Sequence, residues 1–363
     1  MVPERCSPAC GDPHRRPPSS SPEPRRRTPR PADRGRPVRA RWVSTVAAAV
    51  LLTTTSACGS GSGSGGSTPA GAAPGLEKTV VKVRVLPAAD VAPLYLAMKR
   101  GYFAAAGLTV KPEVVQAATD AIRAQQRGSL DVVYSNYVSF FLAASRGSRL
   151  RLVCDGYQSR AGMTAVAVLP GTPIRRISDL AGRRIGISTL RNLAELTTKS
   201  VLETNGVNPA SVSFVRVDNA NMVTALKNGL IDAAYEMEPF LTQDQQKYGI
   251  RKIFDSMQGP TADLAVGGYA TTEAWARANP RTFAAFAHAL RRGQAAAADR
   301  AAVEAILPTF TAIDPKTASV INPGSYPTTL SRVRLQRVTH LMVTYGLLPG
   351  EDKAGLDTML STQ

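Results

Sequence analysis

The chain has 363 residues, with 44 Lys and Arg against 27 Asp and Glu, a formal net charge of +17. Hydrophobic residues at 44% and charged residues at 20% exclude both a disordered chain and a polytopic membrane protein. At roughly 150 residues per domain there is material for about two, and the meaning of the charge depends on where it sits.

Residues 1–41 hold eleven Arg, no Lys and four acids, which is +7. The stretch is dense in Pro, Arg and Ser and cannot bury a core. An apolar run from Trp42 to Leu52 follows Arg39-Ala40-Arg41. It is too short to span a bilayer, which takes about 20 residues. A basic segment, a short apolar run and then small residues describe a secretory signal. Translation is expected to start near Val38, because the basic leader is unusually long.

Ser56-Ala57-Cys58, followed by the Gly/Ser run 59–66, resembles a bacterial lipobox with its flexible tether, although Thr55 stands where that pattern has Leu. The resemblance implies lipidation of Cys58, removal of residues 1–57, and a tether over 58–78. Two acyl chains on one Cys suffice for stable anchoring. From Cys58 onward 33 basic and 23 acidic residues leave +10, spread among pairs such as Arg175-Arg176 and Arg291-Arg292. Without a helix-turn-helix or aromatic RNA motif, this reads as solvated surface and argues against nucleic acid.

The body starts near Thr79 and alternates strand and helix signals. Val80–Leu86 is a β-branched run and Pro93–Lys99 a helix closed by Gly101. Leu108–Val115 is a strand, Asp120–Arg127 a helix, Leu130–Tyr134 a strand, Val138–Arg146 a helix and Leu150–Asp155 a fourth strand. The grammar then repeats with strand Arg184–Ser188, helix Leu193–Asn205, strand Ser213–Val217 and helix Met222–Asn228. Strand Leu230–Tyr235, helix Pro239–Tyr248 and a short strand Lys252–Phe254 complete it. Alternation of this kind predicts mostly parallel sheets with helices on their faces. The phrases QQRGSLDVVYS and LKNGLIDAAYE, with Gly128/Asp131 matching Gly229/Asp232, mark an internal duplication. Met163–Leu169 and Asp263–Ala270 fall outside the repeat and are predicted to mark the crossings between two lobes. Helices follow over Thr272–Ala278, Pro280–Ala298, Arg300–Leu307 and Leu330–Tyr345.

No CxxC, zinc spacing, GxSxG or phosphate loop appears. Cys154 lies in an apolar run and is expected in the core. His288 and His340 sit on helical stretches without metal-ligand neighbours. No cofactor, no metal and no catalytic activity are therefore expected.

Five phrases in order resemble the substrate-binding proteins of ABC importers, in the nitrate/sulfonate/taurine group that includes binders of thiamine pyrimidine precursors. They are APLYLAMKRGYFAAAGLTV, GSLDVVYSNYVSFFLAASRG, ISDLAGRRIGI, ETNGVNPASVSFVRV and ALKNGLIDAAYEMEPF. The resemblance implies an α/β, two-lobed periplasmic-binding-protein-like fold with two parallel-type sheets. Its lobes would be 79–160 with 263–363, and 161–262. It further implies a monomer that closes on one small solute, a sulfonate-, nitrate- or taurine-like anion, and docks on a permease driven by an ATPase. A pyrimidine or riboflavin-like heteroaromatic is the alternative ligand. A catalytic pyrimidine synthase is the remote one.

Ligands of parallel α/β sheets sit at the carboxyl ends of strands, where helix N–H groups are free. That rule selects Asp90, then Gln116 and Thr119, then Ser135, Asn136 and Tyr137, with Tyr157 near the first crossing. In the second half it selects Ser188, Thr189, Arg191 and Asn192, then Asn219 and Asn221, then Glu236 and Glu238. Ser135-Asn136 and Ser188-Thr189 could hold an oxyanion or serve only as helix caps. Arg191 could add a charge-assisted contact. The acids suit an amine or ring N–H instead, and Glu238 before Pro239 could be a helix cap.

Overall fold

The computed structural model describes residues 75–114 and 121–361. Cys58, the leader, most of the tether, Gln116 and Thr119 lie outside them. Ten strands form two five-stranded sheets. The first contains β1 (Val80–Val85), β2 (Thr109–Val114), β3 (Val132–Asn136), β4 (Leu150–Gln158) and β10 (Ala265–Thr272), in the order β2-β1-β3-β10-β4. The second contains β5 (Thr164–Val168), β6 (Arg184–Ile187), β7 (Ser213–Arg216), β8 (Ala233–Met237) and β9 (Arg251–Asp255), in the order β7-β6-β8-β5-β9. The two orders are the same pattern. In each, three parallel strands are followed by one antiparallel strand, β10 or β5, and then an edge strand.

β5 and β10 come from the two runs that stood outside the sequence repeat. The chain passes between the sheets over residues 159–163 and 256–264 and then enters each sheet as its antiparallel strand. The sheets are therefore mixed rather than purely parallel.

Helices cover both faces of each sheet, as near-continuous buried strands require. On the first sheet, Leu94 and Ala97 of helix Ala92–Lys99 and Phe286 and Leu290 of helix Pro280–Ala296 pack against Val81, Val83 and Val132. Its other face takes Phe140 and Phe141 of helix Tyr137–Ser145 and Val338 and Met342 of helix Arg332–Thr344. In the second sheet Val201 and Leu202 of helix Leu193–Thr204 pack against Ile185, Ile187 and Val166.

The duplicated phrase has a structural cause. Asp131 Oδ2 accepts from the backbone N–H of Lys82, and Asp232 Oδ2 from that of Arg184. Each acid also bonds the same neighbour through its own backbone: Asp131 N to Lys82 O, and Asp232 N to Arg184 O. In both lobes this turn residue ties the start of the third strand to the first. It also places β3 and β8 two to three residues later than their apolar runs predict.

Candidate functional site

The carboxyl ends of β3 and β8 face each other across a cavity of about 110 Å³ between the sheets. A cavity of about 150 Å³ takes up benzene, so this is room for one small molecule. Of the residues selected from sequence, Asp90, Ser135, Asn136, Tyr157, Ser188, Thr189, Asn192 and Asn219 line it.

Two helix N-termini meet there. Asn136 caps Tyr137–Ser145, its Oδ1 accepting from Ser139 N at 2.9 Å. Asn192 begins Leu193–Thr204, and its Nδ2 donates across the lobes to Ser139 Oγ at 3.0 Å. Each terminus brings orphan N–H groups and the positive end of a helix dipole.

Asp90 sits on the short turn Ala89–Val91, 6% exposed. Its Oδ1 has no hydrogen-bond partner. Burial pushes its carboxyl up to about 6, and the nearby Tyr134 hydroxyl opposes this only in part. Ser135 Oγ is likewise buried without a partner, and the buried Tyr134 and Tyr235 hydroxyls make no well-formed hydrogen bond, Tyr134 standing near Asp90 and Tyr235 near Ser256, Thr197 and Thr164. All four residues line the cavity. Tyr134 fits because β10 carries Gly267, where a Cβ would stand 2.7 Å from the Tyr134 hydroxyl. No Lys, Arg or His is among the described residues lining the cavity, whereas Asp90 and Asp218 are. Met163, Leu193, Met237 and Met257 supply apolar wall.

The other selected residues stand elsewhere. Tyr137 is fully buried and donates to Asp155 Oδ1 at 2.6 Å. Arg191, at a positive φ of 51°, donates its guanidinium to Gly346 O at 3.0 Å, while its backbone N–H meets Glu195 Oε2. Asn221 precedes the helix Met222–Lys227, outside the lining. Glu236 lies within β8 rather than after it. Strand alternation sends Tyr235 and Met237 to the cavity and Glu236 to the opposite face. There it is buried, with Oε1 unpartnered, and burial holds its pKa well above the carboxylate range. Glu238 accepts from Thr242 N, Thr242 Oγ1 and Asn322 N, so it caps the helix Phe240–Tyr248 and ties the C-terminal stretch to it.

Tyr134 and Tyr235 were not selected from sequence, yet a signal was present. Each stands six residues after the matching glycine, Gly128 or Gly229. Reading the repeat and the strand alternation together finds both. Elsewhere Cys154 is buried, its thiol pushed up to about 12 by that burial. Among the described residues no cluster of three His, Cys, Asp or Glu could hold a metal, and no helix is long and apolar enough to cross a membrane.

A family model described as NMT1/THI5 like matches residues 88–302, more than half of the chain. No curated protein sequence matches significantly. Among solved structures, a protein from Bordetella bronchiseptica RB50 superposes with a TM-score of 0.65 at 22% identity, over 80% of this chain and 96% of that one. The alkanesulfonate-binding protein SsuA from Xanthomonas axonopodis pv. citri, bound to MOPS, gives 0.63 at 18%, over 76% and 96%. The periplasmic nitrate-binding protein NrtA from Synechocystis PCC 6803 gives 0.65 at 15%, over 78% and 86%. At these identities the likeness to the three structures is one of fold.

Proposed function

The chain belongs to the NMT1/THI5-like family, and from that premise we propose that it is an exported solute-binding protein of an ABC importer. It captures one small solute between its lobes and passes it, unchanged, to a permease with its ATPase. We take the lobes to be 79–160 with 263–363, and 161–262, and the protein to be a monomer held by lipid at Cys58.

One observation carries the binding role. Four buried polar side chains, each with an atom that makes no well-formed hydrogen bond, converge on one cavity at the strand ends. Buried polar groups are almost always hydrogen-bonded, and a group left unpaired costs about 1–3 kcal/mol. A solute that pairs them recovers that cost. In our reading the solute is held and released, and among the described residues lining the cavity no nucleophile has a partnered base.

The same geometry bears on the solute's charge. Two helix N-termini favour an anion, and the structurally similar SsuA and NrtA are an alkanesulfonate-binding and a nitrate-binding protein. Against this, the lining described here offers no cation and two carboxyls. We read the solute as uncharged or cationic, ring-sized and rich in N–H donors, of the aminopyrimidine kind. A thermal-shift and calorimetric panel tests this with aminopyrimidines, riboflavin, taurine, methanesulfonate and nitrate. A solute at 100 times its Kd adds about 2.7 kcal/mol of stability. Stabilisation by aminopyrimidines alone is expected. Stabilisation by taurine or nitrate alone would restore the anion reading, and turnover of any bound compound would overturn the binding role. For the anchor, Cys58→Ala should release the protein into the medium, and retention in the membrane fraction would sink that part.

A further inference from the structure

Arg151 is a buried cation that the solute cavity does not explain. It sits on β4, the edge strand of the first sheet, 7% exposed. One terminal nitrogen donates to Ser361 Oγ at 2.7 Å, and Nε is buried with no hydrogen-bond partner. Among the described residues it makes no ion pair. Glu273 feels its charge through space, but that carboxylate is already bonded by Arg149 and Arg277. Three guanidinium groups thus share one acid. Buried charge is costly unless paired, so an unmatched one at an edge points to a counter-charge from outside.

Beside Arg151 an open groove of about 460 Å³ runs past the sheet edge. It lies where the hydrophobic clusters from the two faces of the sheet come together. Phe283 belongs to one; Leu330, Met359 and Leu360 belong to the other. Arg291 also lines the groove, and among the described residues it makes no ion pair and no carboxylate lines the groove. An apolar trough carrying two cations and no acid complements a molecule with an alkyl body and one anionic head.

We propose that this groove is a second binding site, separate from the interlobe cavity, for an amphipathic anion: a carboxylate-headed alkyl chain. Arg151 and Arg291 take the head, through the paired N–H geometry that suits guanidinium to carboxylate. Phe283, Leu330, Met359 and Leu360 take the chain.

The test is titration calorimetry of the full chain with dodecanoate, dodecanol, dodecyltrimethylammonium and octanoate, each below its micelle concentration. Dodecanoate is expected to bind, with the alcohol and the ammonium at least about tenfold weaker. Each methylene removed should lower affinity by up to about fourfold. Arg291→Gln changes an exposed side chain, so it should weaken dodecanoate several-fold without moving the unfolding midpoint. Arg151→Met should weaken it further. A photoreactive dodecanoate should label peptides holding Phe283 or Met359. Equal binding of the three twelve-carbon probes, no dodecanoate binding, or indifference to both arginine variants would overturn the site. Labelling at Tyr157 or Met257 would move the binding to the interlobe cavity. Binding that appears only after Thr362 and Gln363 are deleted would assign the groove to the chain's own end.

Discussion

Asp90, which we propose meets the solute, works against the fold that holds it. Its carboxyl rises from an ordinary 3.8 to about 6 because burial disfavours the charge. Between these values the folded chain binds more protons than the unfolded one. Stability therefore falls as pH rises from about 4 to about 6, and the loss persists above that window. Two units correspond to about 3 kcal/mol. Asp90→Asn keeps the shape and removes the charge. In urea titrations at pH 4.5 and 7.5 the variant should lose about 2 kcal/mol of the wild type's decline between those pH values. An unchanged decline would mean that Asp90 does not stay ionised and buried near neutral pH. Tyr134 extends the point. Its hydroxyl is buried with no well-formed hydrogen bond, only a weak approach to Asp90, so Tyr134→Phe should leave the melting temperature nearly unchanged while weakening binding of the proposed solute by about tenfold. A fall in stability with unchanged affinity would make the hydroxyl structural.

At the scale of elements, the same turn serves both lobes with different strength. Asp131 is buried and accepts from Lys78 Nζ, Lys82 N and Trp275 Nε1. Asp232 is more open, its side chain 25% exposed, and its hydrogen bonds among the described residues come from Arg184, through backbone and guanidinium. Asp131→Ala leaves a buried indole N–H and a Lys unpaired, and should cost about 2–4 kcal/mol in urea unfolding. Asp232→Ala should cost about 1 kcal/mol or less. Equal losses would contradict this ranking. These turns also explain what the sequence made legible. Glycine stops, β-branched runs and the repeated Gly–Asp phrase located most of the strands and helices, because those signals are local. The exact strand ends were not local: Asp131 and Asp232 delay β3 and β8, so Ser135, Asn136 and Glu236 belong to strands rather than loops. A two-residue phase error of that kind is what hid Tyr235 and left Glu236 among the candidates. Arg191 stands away from the cavity for another reason. Its partner, Gly346 O, lies 155 positions away, and no local pattern reports it.

For the whole molecule, the C-terminal stretch reaches across from the first lobe. Tyr345 OH donates to Glu203 Oε2 at 2.6 Å, and Thr317 Oγ1 meets Gln246 Oε1 at 3.1 Å. Arg337 donates to the carbonyls of Pro260 and Ala262 in the second crossing. Together with Asn192 on Ser139, these bonds tie elements of the two sheets to each other. Weakening them with Tyr345→Phe and Arg337→Ala should speed solute release several-fold and enlarge the solute-free molecule in small-angle scattering. An unchanged off-rate and radius would show that closure rests on other contacts. The sheet orders carry one more consequence. Within the first sheet β4 pairs with β10, made last of the described strands, and its Gln158 bridges Ser325, made later still, whereas the second sheet is complete once Asp255 has been made. During synthesis the lobe that begins second is thus free to finish first, leaving β4 to wait for its partner. Chains stalled on the ribosome just after Leu264 should already protect β5 to β9 from protease while β4 stays open to cleavage. Equal susceptibility of the two regions would rule out that order.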